Sequence, residues 1–147
     1  MKARTQAREY AVQMMYQAEL LDSDPLEVNT LFWKSIDDDP DNEAGSMPAE
    51  SVMEFAQTLF TSAFSRRVEH DRTVAMFLKE NWPFERLGEM EKCILRVAVD
   101  ELLHYNTPDY AVLDEYVTLT RRFTDEKTAA FVNGLLENIR NTLKKEG

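Results

Sequence analysis

The residues in this chain best suited to chemistry are cations and a few aromatics rather than nucleophiles. Arg4 and Arg8 stand four apart, so they share one face of any helix that holds them, and Lys2 precedes them. A helix N-terminus already presents unpaired N–H groups and partial positive charge, so each cation there costs the helix roughly 0.3–1 kcal/mol. Such placement suits the holding of phosphates; the plainer reading is a short solubilising tail. A second set consists of Arg121 and Arg122, closing one predicted helix, and Lys127, opening the next. Cations at a helix C-terminus also complement its dipole, so phosphate binding is one of two readings for that pair. Tyr110 starts a predicted helix with only Ala111 apolar beside it. An exposed tyrosine near cations can stack an unpaired base; a partly packed surface ring is the alternative. Arg66, Arg67 and Arg72 form a third cluster, read as solvated surface.

Enzyme chemistry finds little support. Gly45, Gly88, Gly134 and Gly147 stand singly, so no phosphate-cradling loop or dinucleotide fingerprint forms from them. Cys93 is the sole cysteine, and His70 and His104 are not at ligand spacing along the chain, so no metal site is expected. In Glu69-His70-Asp71 the acids flank a histidine, but neighbours in a helix point apart, which makes His70 a surface histidine. Neither a catalytic residue nor a cofactor is expected.

The elements that must position these groups are helices. Ala7, Tyr10, Ala11, Met14, Ala18 and Leu21 repeat with helical period and predict a helix over about 3–21. Asp24-Pro25 reads as cap and first residue of a second helix with Val28, Leu31, Phe32 and Ile36 on its apolar face. Residues from Asp37 to Met47 lack periodicity and carry Pro40, Gly45 and five acids, which predicts an acidic loop over about 37–47. Pro48 opens the next helix, on Val52, Phe55, Ala56, Leu59 and Ala63; the polar run Ser65 to Arg72 predicts a break before a short helix with Val74, Phe77 and Leu78. Met90, Ile94, Val97, Ala98, Leu102 and Tyr105, flanked by Leu95, Val99 and Leu103, make a helix apolar over most of its circumference, hence the central one. Thr107-Pro108 starts a helix burying Leu113, Tyr116, Val117 and Thr120, and Thr124 caps a last one built on Phe131, Leu135, Ile139 and Leu143. Tyr10, Phe55, Phe77 and Phe123 are taken as core. Gly134 inside the last helix predicts a close helix–helix approach, because glycine there costs roughly 1 kcal/mol against alanine. The sum is an all-α fold of about seven helices in a two-part bundle, with no strand pattern.

Composition sets the frame. A chain of 147 residues with 44% hydrophobic content can bury one real core, and residues 1–147 are read as one domain. No apolar run nears the roughly 20 residues of a membrane span, so no membrane partner is expected. A lone cysteine and the absence of a secretory pattern point to the cytoplasm. The net charge of -10 would repel phosphate, but ten acids between Asp22 and Glu54 stand against one base, Lys34. The remainder is near neutral and can carry a basic face.

Three motifs in order carry a resemblance that spans nearly the whole chain. They are Ala7-Arg8-Glu9 leading to Ala11-Val12-Gln13 and Tyr16, Glu85 to Arg96 (ERLGEMEKCILR), and Phe131-Val132-Asn133-Gly134-Leu135-Leu136. Together they resemble the NusB family of bacterial transcription antitermination factors, small all-helical RNA-binding adaptors. The resemblance implies pairing with a ribosomal small-subunit protein known in this role as NusE, binding of single-stranded boxA RNA, and loading onto the RNA polymerase elongation complex at ribosomal RNA operons. It implies an RNA surface at the N-terminal helix and the last helical turn, here Lys2, Arg4, Arg8, Tyr110, Arg121, Arg122 and Lys127. It implies partner contacts at Tyr16, Glu91 and Phe131. The chain departs from the family pattern at Thr5 and Gln6, where arginines are common, at Tyr110, Asp114-Glu115 and Thr124, and at Lys127-Thr128 in place of an Asp-Ser pair. The alternative is a protein–protein adaptor or homodimer of the same fold with little RNA binding.

Overall fold

A computed structural model describes residues 2–42 and 46–144. Part of the predicted acidic loop, residues 43–45, and with it Glu43 and Gly45, lies outside the described residues. Among those described there are seven α-helices and no strand: α1 (Ala3–Leu21), α2 (Pro25–Asp37), α3 (Glu50–Ser65), α4 (Arg67–Phe77), α5 (Glu89–His104), α6 (Asp109–Phe123) and α7 (Glu126–Leu143). A short 3-10 turn, Phe84–Arg86, leads into α5. The chain divides into two compact units, Met1–Thr61 and Ser62–Gly147, so α3 runs through the boundary. No described helix is long and apolar enough to cross a membrane.

In the first unit α1 buries Ala7, Ala11, Val12, Met14, Met15 and Ala18, which follows the sequence stripe except at its end, where Leu21 is exposed. It ends at Asp22, whose φ of 50° is left-handed, a conformation aspartate tolerates better than most side chains. The Asp24 carboxylate then accepts the Leu26 N–H at 2.7 Å and Pro25 takes the first helical position, so α2 starts as predicted. Its buried face is Val28, Phe32 and Trp33, while Leu31 is exposed. Tyr10 meets Phe32 and Trp33 edge-on, with centroids 5.8 and 5.3 Å away, and so locks α1 to α2.

The second unit is organised by α5. Every residue from Cys93 to Leu102 is buried, as a helix apolar on most sides requires. Helices α4, α6 and α7 all pack on it. Three of its buried residues are charged, and each is met from another element. Arg96 donates a fork of two hydrogen bonds, both 2.8 Å, to Asp71 of α4. Asp100 meets His70 of α4 at 2.7 Å. Glu101 accepts from Tyr116 of α6 at 2.7 Å and from Thr107 at 2.8 Å.

These pairs explain where the sequence expectations fail. The polar run Ser65 to Arg72 is not a long break: only Arg66 leaves helical geometry, and α4 starts at once. Arg66, His70 and Asp71 are drawn onto α5, while Ser65, Glu69 and Arg72 stay in solvent, and His70 is fully buried instead of a surface histidine. The face of α6 is Val112, Tyr116, Leu119 and Thr120, so Val112 and Leu119 take the buried places predicted for Leu113 and Val117. Helix α7 is capped by Asp125, which accepts the Thr128 N–H at 2.7 Å, while Thr124 hydrogen-bonds back to the Thr120 carbonyl. Its buried face is Ala129, Val132, Leu135, Leu136 and Ile139, leaving Phe131 and Leu143 exposed. Tyr10, Phe55, Phe77 and Phe123 are only half-buried. Gly134 overturns the close-approach expectation, because a Cβ built on it meets nothing within 4 Å.

Candidate nucleic-acid and partner surfaces

The N-terminal cations stand on α1, whose first turn carries no acid. Lys2 is the cap residue, exposed and without a side-chain capping bond. The Arg4 guanidinium lies 3.8 Å from the centroid of the Phe55 ring, within stacking distance, and Arg8 lies 5.8 Å from the same ring. Phe55 on α3 is therefore a platform that orders two arginines, a role its place on the apolar stripe had hidden. Arg4 remains exposed and can meet an anion directly, whereas Arg8 is only 6% exposed.

Arg121, Arg122 and Lys127 are all exposed around the α6–α7 turn. Arg121 is ion-paired with Glu126, and that neighbour holds its proton still more firmly than the usual guanidinium value. Tyr110 is 78% exposed at the start of α6. It does not join the cations at the far end of that helix, since eleven residues of helix span roughly 16 Å. Its sequence neighbour Asp109 instead binds Arg140 and Lys144 of the C-terminal segment. Burial alone would raise the Asp109 carboxyl, but the two cations hold it below its ordinary value.

Glu91, Phe131 and Lys127 come together. They line one groove of about 770 Å³ in the second unit, whose walls also carry Trp82, Leu87 and Gly134. Phe131 is 37% exposed there and Trp82 44%. Arg86 approaches the Trp82 ring at 5.1 Å. Glu91 also accepts the Gly88 N–H at 3.1 Å, so one carboxylate both starts α5 and faces the groove. Tyr16 belongs to a separate groove of about 930 Å³ in the first unit, beside Tyr10, Gln13, Leu20 and Phe32. The groove aromatic Trp82 lies just before the quoted second motif, and no periodicity marked it as functional.

The NusB family model matches residues 5–141. The transcription antitermination protein NusB of Staphylococcus aureus (strain JH9) is 34% identical over 138 residues, covering 94% of this chain and 98% of the relative. A crystal structure of the antitermination factors NusB and NusE in complex with dsRNA superposes with a TM-score of 0.77 at 27% identity, over 95% of this chain and 96% of that one. The solution structure of NusB from Aquifex aeolicus gives 0.75 at 26% identity, over 100% of this chain and 95% of that one. Family match, curated relative and shared helical fold agree: the chain belongs to the NusB family.

Proposed function

We propose that this chain is a cytoplasmic, non-catalytic antitermination adaptor that pairs with a NusE protein, binds boxA-type single-stranded RNA and acts on RNA polymerase elongation at ribosomal RNA operons. The observation that carries the reading is the groove of the second unit, which gathers Glu91 and Phe131 with Lys127. An apolar floor with an exposed aromatic and a few charges at the rim is the composition of a protein-docking site. The solved NusB–NusE complex with dsRNA supports both classes of partner. On this reading the groove takes the protein partner, and Arg4 on its Phe55 platform, with the cations of the α6–α7 turn, takes RNA phosphates.

Two observations favour the rival reading of a protein–protein adaptor or homodimer with weak RNA affinity: Arg8 is nearly buried, and Arg121 is paired to Glu126. The two readings separate in one experiment. Fluorescently labelled boxA-like RNA is titrated with the protein alone and with saturating NusE. Weak binding alone and at least tenfold tighter binding with NusE is the expected result, and Phe131→Ala should weaken NusE binding measured directly. No RNA binding in either arm, with NusE still bound, would establish the protein–protein reading.

A further inference from the structure

A cluster in the second unit lies outside both surfaces. Asp100 and His104 stand four apart on α5, so their side chains share a face. His70 reaches that face from α4, with its ring centroid 5.9 Å from that of His104. One potential ligand atom from each of His70, Asp100 and His104 lies within 4.8 Å of the others. Sequence spacing separated the two histidines; the α4–α5 packing joins them.

The hydrogen bonding of His70 gives the cluster its chemistry. Its Nε2 stands 2.7 Å from Asp100 Oδ1, and Asp100 also accepts from Ser62 and Arg66. A carboxylate is an acceptor only, so Asp100, which already accepts from Ser62 and Arg66, takes a third hydrogen bond from the imidazole. Nε2 therefore carries the proton it donates to that carboxylate. The lone pair of a neutral ring is then on Nδ1, and Nδ1 is the one buried side-chain N or O atom among the described residues with no hydrogen-bond partner. An imidazole whose one nitrogen donates to a carboxylate while the other keeps a free lone pair is the arrangement found in metal-ligating histidines. His104 is exposed, which leaves a route for an ion and room for water ligands.

We propose that His70 and His104 bind a divalent transition metal of the zinc class, with Asp100 as the carboxylate that orients His70 and balances the charge. Imidazole donors select Zn2+, Co2+ or Ni2+ over Mg2+ and Ca2+, which require oxygen ligands. Zinc–nitrogen bonds of about 2.0–2.1 Å set two ligand nitrogens roughly 3.4 Å apart, a separation that rotation of the exposed His104 side chain would close.

The test uses the full-length, untagged protein. Metal-stripped protein is titrated with ZnCl2 by calorimetry and, separately, with CoCl2 by visible absorption. The expected result is one ion per chain with micromolar affinity, and Co2+ d–d bands that Zn2+ abolishes. His104→Ala changes an exposed residue, so it should fold normally and bind Zn2+ at least tenfold more weakly. Asp100→Asn, where it folds, should weaken binding by about 10–100-fold. Absence of Zn2+ uptake by the parent at 100-fold excess over micromolar levels, or uptake unchanged in a folded His104→Ala variant, would overturn the proposal.

Discussion

Asp100 ties α5 to its surroundings through three hydrogen bonds, accepting from Ser62, Arg66 and His70 while itself fully buried. Replacing it with asparagine leaves His70 and Arg66 without their anion. The expected loss is about 3 kcal/mol, the low end for breaking a buried ion pair, because half-exposed Arg66 can rehydrate. Denaturant unfolding of Asp100→Asn checks this, and an unchanged midpoint would show that the cluster is energetically neutral. The same group sets a pH dependence. Its folded pKa lies below the ordinary aspartate value of about 3.9, so its contribution is complete above that value and is lost as pH falls through the folded one. Asp109, held down by Lys144 and Arg140 against the upward push of burial, acts in the same direction. Stability measured by thermal melts should therefore fall off below about pH 4, and Asp100→Asn should flatten that acid arm. Gly134 is the converse case, a residue whose type the fold does not demand. Since an added Cβ meets only open space, Gly134→Ala should stabilise the chain by up to about 1 kcal/mol through helix propensity. Should the same variant weaken NusE binding, the glycine serves the partner's close approach in the groove.

At the scale of elements, the helices were legible wherever one apolar face decided the matter. The stripe of α1, the Asp24-Pro25 start of α2 and the continuous burial of α5 all follow from period and capping chemistry. What could not be read was any face set by a polar pair between distant positions. Asp71 with Arg96 and His70 with Asp100 lie 25 and 30 residues apart, and both turn an apparently solvated stretch into the packed face of α4. The hint available in sequence was Arg96, Asp100 and His104 at four-residue intervals in a helix with a wide apolar stripe. The candidate site was legible unevenly for the same reason. Motif residues Glu91 and Phe131 converge in one groove, whereas Tyr110 and Arg8 were judged by charge and type, which carry no information on burial. Helix α7 offers a direct check on capping. Asp125 accepts the Thr128 N–H and its carboxyl is held below the ordinary value by that hydrogen bond. Asp125→Ala should lower Tm by a few degrees, on the order of 2–4 °C. A variant that melts with the parent would place the start of α7 under the control of packing rather than its cap.

For the whole molecule, the question is how a chain of net charge -10 approaches a polyanion. Long-range repulsion slows encounter and is screened over about 8 Å at physiological salt, so binding rests on short-range contacts with few cations. The structure reduces their number below the sequence count. Arg8 is nearly buried and Arg121 is paired, leaving Arg4 and Lys2 on α1 and Arg122 and Lys127 at the α6–α7 turn as exposed cations of the proposed surface. Neutralising about three phosphates gives a log–log salt slope near -2 for a single strand, so affinity should fall roughly tenfold to twentyfold between 50 and 200 mM salt. Arg4→Ala removes one contact and should flatten that slope by about 0.7 with little effect on folding. Arg8→Ala should behave differently: its buried stem is lost from packing, so stability falls while the slope changes little. Measuring RNA affinity at several salt concentrations for both variants, together with their melting curves, separates the roles. A slope flattened by Arg8→Ala and untouched by Arg4→Ala would mean that RNA binding rearranges α1 to expose the buried arginine, and that the phosphate site is not the Phe55-supported surface of the free protein.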